Sequence, residues 1–182
     1  MRVVNACAVL LGITLVTTAC SGSQAGQPVA GSTSTGAAVQ EAKAGDSGGD
    51  QKKIGKSVTV TDDDYSAVVT LESITTVTKG YPPIDQKPES GTFVILEVSF
   101  EGKTGNYPVN PLYFHLVKPD GTDIDQTDGH AIFASPEKDL ESSDLPAGQK
   151  ISGRVALDAK LEAGAKIVLL DPLDAVIGEW PL

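Results

Sequence analysis

The chain has few of the residues that build disulfides, soft metal sites and aromatic clusters. Its 182 residues include two cysteines, one methionine, two histidines and one tryptophan. Cys7 and the methionine fall in the first 19 residues, which leaves Cys20 as the single cysteine beyond them. An intramolecular disulfide is therefore excluded for the rest of the chain. Copper sites that need clustered Met, Cys and His are excluded as well.

The first 19 residues have the pattern of an export signal. A positively charged start precedes an apolar run over residues 3–16, which is shorter than the roughly 20 residues that span a membrane. Thr17 and Ala19 fit ordinary secretory cleavage, but with Cys20 the segment also resembles a bacterial lipobox. We expect residues 1–19 to be a lipoprotein signal peptide and Cys20 to carry palmitate. The protein would then be lipid-anchored at the extracytoplasmic face of the cell membrane.

The segment after Cys20 has the composition of a linker. Residues 21–56 are rich in Ser, Gly, Ala and Gln and contain no aromatic side chain. Such a segment buries too little apolar surface to offset the entropy of ordering it. We therefore predict a lipidated N-terminus and disordered linker over residues 20–56, followed by one folded domain over residues 57–182.

The predicted domain is strongly acidic. Residues 57–182 contain 9 Lys and Arg against 21 Asp and Glu, a net charge of −12. Such a charge repels phosphate groups and anionic lipids, so a nucleic-acid partner is not expected and flat docking on a membrane is disfavoured. Solubility outside the cell would explain the acidity without any partner.

Short runs that alternate apolar and polar residues predict an all-β domain. The clearest run covers residues 91–101, where Val94, Leu96 and Val98 point to one face and Ile95 and Glu97 to the other. The other predicted strands cover residues 57–61, 66–78, 112–117, 151–157, 167–170 and 175–180. In the run 112–117, Leu112, Phe114 and Leu116 are expected to face the core. Turn residues between the runs are typical of a β-sandwich.

Three stretches carry a resemblance to a known family: residues 91–100, residues 111–121, and residues 145–157. They resemble the telokin-like, immunoglobulin-like domains of unknown function found in actinobacterial lipoproteins, which are related to a secreted immunogenic mycobacterial antigen. The resemblance implies an immunoglobulin-like antiparallel β-sandwich with no established catalysis. It therefore suggests a fold without naming a reaction.

An acidic loop is the one candidate metal site in the sequence. Asp120, Asp123, Asp125 and Asp128 could offer oxygen ligands to Ca²⁺. Their spacing is not that of an EF-hand, and a solvated acidic turn is the favoured interpretation. We expect no resident metal and no cofactor.

A second set of residues has the side-chain types of a hydrolase triad. His130, Ser135, Asp139 and Ser142 lie close together in the sequence. No Gly-x-Ser-x-Gly motif or glycine-rich oxyanion segment accompanies any of these serines. We therefore expect no catalytic residues, and the chain is not expected to be an enzyme.

The proline-rich connection over residues 79–85 offers a candidate contact surface. Proline stiffens a loop and lowers the entropy cost of presenting Tyr81 and Ile84 to a partner. The same two side chains could instead pack against the sandwich. The sequence favours a non-catalytic surface module that binds a protein or an envelope component. The alternative is a carrier that holds an apolar ligand between its sheets and needs an open interior pocket.

Overall fold

The computed structural model describes residues 49–134 and 136–182. The predictions for the signal peptide, for Cys20 and for linker residues 20–48 lie outside them, as does Ser135. Two 3₁₀ turns, Pro111–Tyr113 and Ala131–Phe133, accompany ten strands. In chain order the strands are β1 (Asp50–Thr61), β2 (Ser66–Val77), β3 (Phe93–Thr104), β4 (Asn106–Val109), β5 (Phe114–Val117), β6 (Asp123–Ile124), β7 (Ser143–Pro146), β8 (Lys150–Asp158), β9 (Lys166–Leu170) and β10 (Val176–Pro181).

The strands form two antiparallel four-stranded sheets and one short pair. The first sheet has the order β1-β2-β3-β8, and the second has the order β10-β9-β5-β6. Strands β4 and β7 pair separately. The two sheets enclose one apolar core, so the predicted all-β, immunoglobulin-like antiparallel sandwich is confirmed.

The interior between the sheets is filled by aliphatic and aromatic side chains. The alternation predicted for β3 holds, because Val94, Leu96 and Val98 are all fully buried. Five aromatic rings run through the core in contact with one another, with centroid separations of 5.4 to 6.3 Å along Tyr65, Tyr107, Phe100, Phe114 and Trp180. These separations are within the range of favourable aromatic pairs. The Trp180 indole also donates to the Lys56 carbonyl at 2.8 Å.

A second, smaller apolar cluster lies on the outer face of the first sheet. Phe93 and Ile95 alternate with the core residues of β3, and both are buried, together with Val77 and Ala156 on the neighbouring strands. Buried apolar residues on an outward face require a cover. Two loop segments supply it, residues 78–92 and residues 128–134, which are called the loop cap below.

Strand β1 begins earlier than the sequence predicted. The linker was predicted to extend to residue 56, but residues 50–56 belong to β1, and Asp50 to Lys53 pair with Thr76 to Ser73 of β2. Gly55, at φ 62°, sits in a bulge between Lys53 and Lys56. The segment is exposed on an edge, where lysines and bulges protect a strand from pairing with other chains. It therefore lacks the apolar alternation by which a strand is detected.

The strand predicted from Leu112 begins later. Residues 111–113 form a 3₁₀ turn, and Leu112 is 46% exposed instead of facing the core. Proline stands at the start of the turn, and the Asn110 side chain accepts a hydrogen bond from the Leu112 backbone at 3.0 Å. This local capping favours the turn over an extended strand. Phe114 and Leu116 are buried as predicted.

Candidate functional site

The loop cap is fastened to the sheet by one buried carboxylate. Asp158 ends β8 and is 5% exposed. Its Oδ2 accepts from the backbone N–H groups of Glu89 and His130, both at 2.8 Å, and its Oδ1 accepts from that of Ser90 at 2.9 Å. Gly129, at φ 54°, leaves room for this group, because a Cβ there would lie 2.5 Å from Asp158 Oδ2. One side chain thus holds both loop segments.

The hydrogen bonds decide the ionisation of this carboxylate. Burial alone would raise the pKa of Asp158, but the backbone N–H groups of His130, Ser90 and Glu89 outweigh it and hold the pKa below its ordinary value. Hydrogen bonds from amide donors favour the charged form of a carboxyl group. Asp158 is therefore ionised at neutral pH and accepts all three bonds as a carboxylate.

Further hydrogen bonds join the two loop segments to each other. The Tyr81 backbone N–H donates to the Ala134 carbonyl at 2.8 Å, and within the first segment that of Gly80 donates to the Gln86 carbonyl at 2.6 Å. His130 Nδ1 lies 2.9 Å from the Lys87 carbonyl and 3.2 Å from Gln86 Nε2. The backbone of the loop cap is thus held in place from several directions.

The outward side of the loop cap exposes three large apolar residues among charged ones. Ile84, Ile132 and Phe133 are 48%, 62% and 43% exposed, although they are large hydrophobic residues. One ion pair lies within the cap, between Lys79 and Asp85 at 3.1 Å, and His130 Nε2 lies 3.3 Å from Glu89 Oε1. Exposed apolar groups on an ordered loop framework are typical of interaction surfaces.

The structure separates the two residues predicted for the proline-rich connection. Tyr81 is partly buried and packs against the smaller apolar cluster, whereas Ile84 is exposed. Ile132 and Phe133 join Ile84 on the loop cap, and they were missed from the sequence. Two adjacent large apolar residues inside a polar loop, between Gly129 and residue 136, were the signal that could have identified them.

The four aspartates of the acidic loop are directed to separate partners. Asp120 accepts from the Thr122 backbone at 2.9 Å, and Asp123 Oδ1 lies 2.9 Å from His115 Nδ1. The two others also have partners of their own: the Asp125 carboxylate accepts from Thr127, and the Asp128 carboxylate accepts from the Asp125 backbone. Within residues 49–134 and 136–182, no three His, Cys, Asp or Glu side chains are grouped as metal ligands.

Three of the four triad-type residues lie in the described part of the chain, and each has its own partners. His130 bonds within the loop cap, as described above. Burial raises the pKa of the Asp139 carboxyl group, and the backbone of Asp139 forms a parallel β-bridge with Arg154 of β8. Ser142 Oγ donates to Asn110 Oδ1 at 3.4 Å. The described contacts do not join His130 to Asp139 or to Ser142.

Several open grooves lie on the outer faces of the sheets. One of about 430 Å³ crosses the first sheet beside Thr70, Ser99 and Ser152. Another of about 500 Å³ crosses the second sheet beside His115 and Val168. Both open to solvent on the side of a sheet that faces away from the core, so neither is the interior pocket that a carrier of apolar ligands needs.

Comparison with known proteins adds support for the fold. No protein-family model matches the sequence, and no curated protein matches it. The crystal structure of MPT63, a secreted protein from Mycobacterium tuberculosis, is similar with a TM-score of 0.54. The two chains share 15% identity over 72% of this chain and 95% of MPT63. At this identity the likeness shows the fold alone, and the fold is that of the sandwich described above.

Two Bacillus subtilis structures are more distant. The yjhA protein gives a TM-score of 0.49 at 17% identity, over 69% of this chain and 84% of its own. The ycdA protein, named as a proposed lipoprotein, gives 0.47 at 17% identity, over 70% of this chain and 39% of its own. Among residues 49–134 and 136–182, no helix has the length and apolar character needed to cross a membrane.

Proposed function

We propose that this protein is an extracytoplasmic lipoprotein whose non-catalytic β-sandwich binds a protein or an envelope component through the loop cap. The observation that carries the proposal is the exposure of Ile84, Ile132 and Phe133 on loops that Asp158 fastens to the sheet. Apolar side chains gain free energy when a partner covers them. A loop that is already ordered loses less entropy on binding.

The proposed location rests on the sequence of the first 20 residues. A short apolar run followed by small residues and Cys20 supports export and lipid attachment. We also propose that the chain belongs to the immunoglobulin-like lipoprotein domains that its three strand and turn motifs resemble. The match to the fold of a secreted mycobacterial protein is compatible with that membership.

The packing of the core favours a binding module over a carrier. Trp180, Phe114 and Phe100 occupy the space between the two sheets where an apolar ligand would have to lie. A carrier would need several hundred Å³ left open in that space. The separate partners of His130, Asp139 and Ser142 likewise support a role without catalysis.

The loop-cap proposal is tested by crosslinking in intact cells. The variant Ile132→Ser/Phe133→Ser is compared with the wild type and with Leu173→Ser, which removes an 87% exposed apolar side chain elsewhere. We expect the double variant to lose the main crosslinked product while keeping its unfolding midpoint, and the control to keep both. An unchanged product in the double variant would refute the loop cap as the binding surface.

The anchoring proposal has its own test. Cells that express the wild type or Cys20→Ser are labelled with radioactive palmitate, and the protein is partitioned between detergent and water. We expect label and detergent partitioning in the wild type only. Recovery of unlabelled wild-type protein in the aqueous phase would show ordinary secretion instead.

A further inference from the structure

The end of the sandwich at which β1 begins carries a small basic groove. This end is called the proximal end, because the chain reaches the domain there. Lys52 of β1 and Lys160, just after β8, line one groove of about 380 Å³ together with Thr76 and Thr92. Neither lysine forms an ion pair with any residue that the structure describes. Asp50 is the single carboxylate among the residues that line the groove.

The hydroxyl and amide groups of the groove are held at fixed positions. Thr92 Oγ1 donates to the Ala159 carbonyl at 2.7 Å, which ties the start of β3 to the segment that carries Lys160. Gln51 donates to Ser73 Oγ at 3.3 Å from the neighbouring strand. Two cations beside hydroxyl groups form a surface that suits a phosphate group, because lysine binds phosphate as a point charge.

The opposite end of the sandwich is acidic, and it is called the acidic tip. It contains the turn Asp62-Asp63-Asp64 between β1 and β2, and Asp171 and Asp174 between β9 and β10. Both turns lie near Tyr65. The pKa of Tyr65 is raised by burial and then by the charges of Asp62 and Asp171. Five of the 21 acidic residues of the domain therefore lie at the end opposite Lys52 and Lys160.

The distance between the two ends determines how strongly the acidic tip would repel an anionic surface at the proximal end. Strand β2 runs between them. Its 12 residues are separated by 11 steps of about 3.3 Å, which gives a length of about 36 Å. The Debye length is about 8 Å at physiological ionic strength. Repulsion between the acidic tip and a surface at the proximal end is therefore screened.

We propose that the proximal groove binds the phosphate of anionic phospholipid headgroups, so that the domain rests on the membrane with its acidic tip pointing away. Lys52 and Lys160 pair with the phosphate, and Thr76 offers a hydroxyl donor, whereas Thr92 orders the groove through its bond to Ala159. The choice of a lipid phosphate follows from the proposed anchoring at Cys20, which precedes the start of β1 by 30 residues in the sequence. This inference rests on the proposed anchoring of the protein through Cys20.

The test uses residues 20–182 with Cys20→Ser, so that no attached lipid contributes to binding. Both apolar clusters lie wholly within this segment. The protein is co-sedimented with vesicles of phosphatidylglycerol and phosphatidylcholine in equal parts, or of phosphatidylcholine alone. Lys52→Gln/Lys160→Gln is compared with Lys103→Gln/Lys150→Gln. That control changes the net charge equally by removing two lysines that pair with Glu101 near the acidic tip.

We expect binding to the anionic vesicles only. The groove variant should lose at least about tenfold in affinity, since each lysine near a charged membrane contributes about fivefold, and the control should lose less than about twofold. Equal losses in the two variants, or no vesicle binding by the parent chain, would overturn the inference. Binding of inorganic phosphate without vesicle binding would also overturn it, because the site would then serve a soluble anion. Palmitate labelling of Cys20 is unaffected by these outcomes, so failure of the anchoring proposal is seen separately.

Discussion

At both the proximal end and the acidic tip of the sandwich, an aspartate carboxylate accepts hydrogen bonds from backbone N–H groups, but the two aspartates order different lengths of chain. At the acidic tip, Asp171 accepts hydrogen bonds from the backbone of Leu173 at 2.8 Å and of Ala175 at 2.9 Å, within its own turn. At the proximal end, Asp158 is buried and accepts from three N–H groups in two loops that are distant in sequence. A local bond shapes one turn, whereas the buried one orders a whole surface.

The largest difference between the ends is expected from replacing these two aspartates. Asp158→Asn leaves one oxygen to accept and turns an NH₂ group toward backbone donors, so at least one buried N–H loses its partner. We expect a loss of about 3 kcal/mol in the free energy of unfolding. Asp171→Asn should cost less than about 1 kcal/mol, because water can replace its exposed bonds. Urea unfolding measures both, and equal losses would remove the distinction between the ends.

The pH dependence of stability should report on Asp158. The folded pKa of Asp158 lies below that of an unfolded aspartate, which is about 3.9. Its contribution is therefore complete above about pH 5 and is lost as the pH falls through the lower folded pKa. Urea unfolding between neutral and acid pH should show a weaker loss of stability in Asp158→Asn than in the wild type. Parallel curves would show that Asp158 does not carry this dependence.

Within the loop cap, the roles of Tyr81 and Ile84 can be separated by stability. Tyr81→Ala removes packing from the smaller apolar cluster and should cost about 1 to 2 kcal/mol. Ile84→Ser alters an exposed side chain and should change the free energy of unfolding by less than about 0.5 kcal/mol. Thermal and urea unfolding provide the comparison. A large loss in Ile84→Ser would mean that this residue packs in the fold and is not available to a partner.

The smallest effect is expected from calcium. The carboxylates of Asp120, Asp123, Asp125 and Asp128 are directed to separate partners, so millimolar Ca²⁺ should leave the melting temperature unchanged. Ligand binding to the native state would raise it. Differential scanning calorimetry with Ca²⁺ and with a chelator tests this, and Mg²⁺ at the same concentration controls for ionic strength. A calcium-specific rise would restore the acidic loop as a metal site.

Sequence patterns predicted the strands in which apolar and polar residues alternate. The alternation from Val94 to Val98 identified β3 and its core face, because every second residue of a strand points the same way. The first half of β1 was missed, since Lys52 and Lys53 on an exposed edge give no apolar alternation. The acidic residues of the two tip turns are visible in the sequence, but their position at one end of the sandwich comes from the structure.

The loop cap could not be predicted in the same way. Asp158 is separated from Glu89 by 69 residues and from His130 by 28, so no local pattern indicates that they meet. Ile132 and Phe133 were visible as apolar residues, but their exposure depends on how the loop lies over Ile95 and Phe93. Sequence reasoning identified Ile84 as a contact candidate and missed the two other exposed apolar residues of the loop cap.

The central claim is that the loop cap binds a partner and the acidic tip does not. It is tested most directly by placing a photoreactive amino acid at position 132 or at position 173 and irradiating intact cells. Ile132 and Leu173 are both exposed apolar residues, so the two positions are matched in chemistry. We predict a discrete crosslinked product from position 132 that is lost with Phe133→Ser, and none from position 173. The same product from both positions, or a product from position 173 alone, would contradict the account.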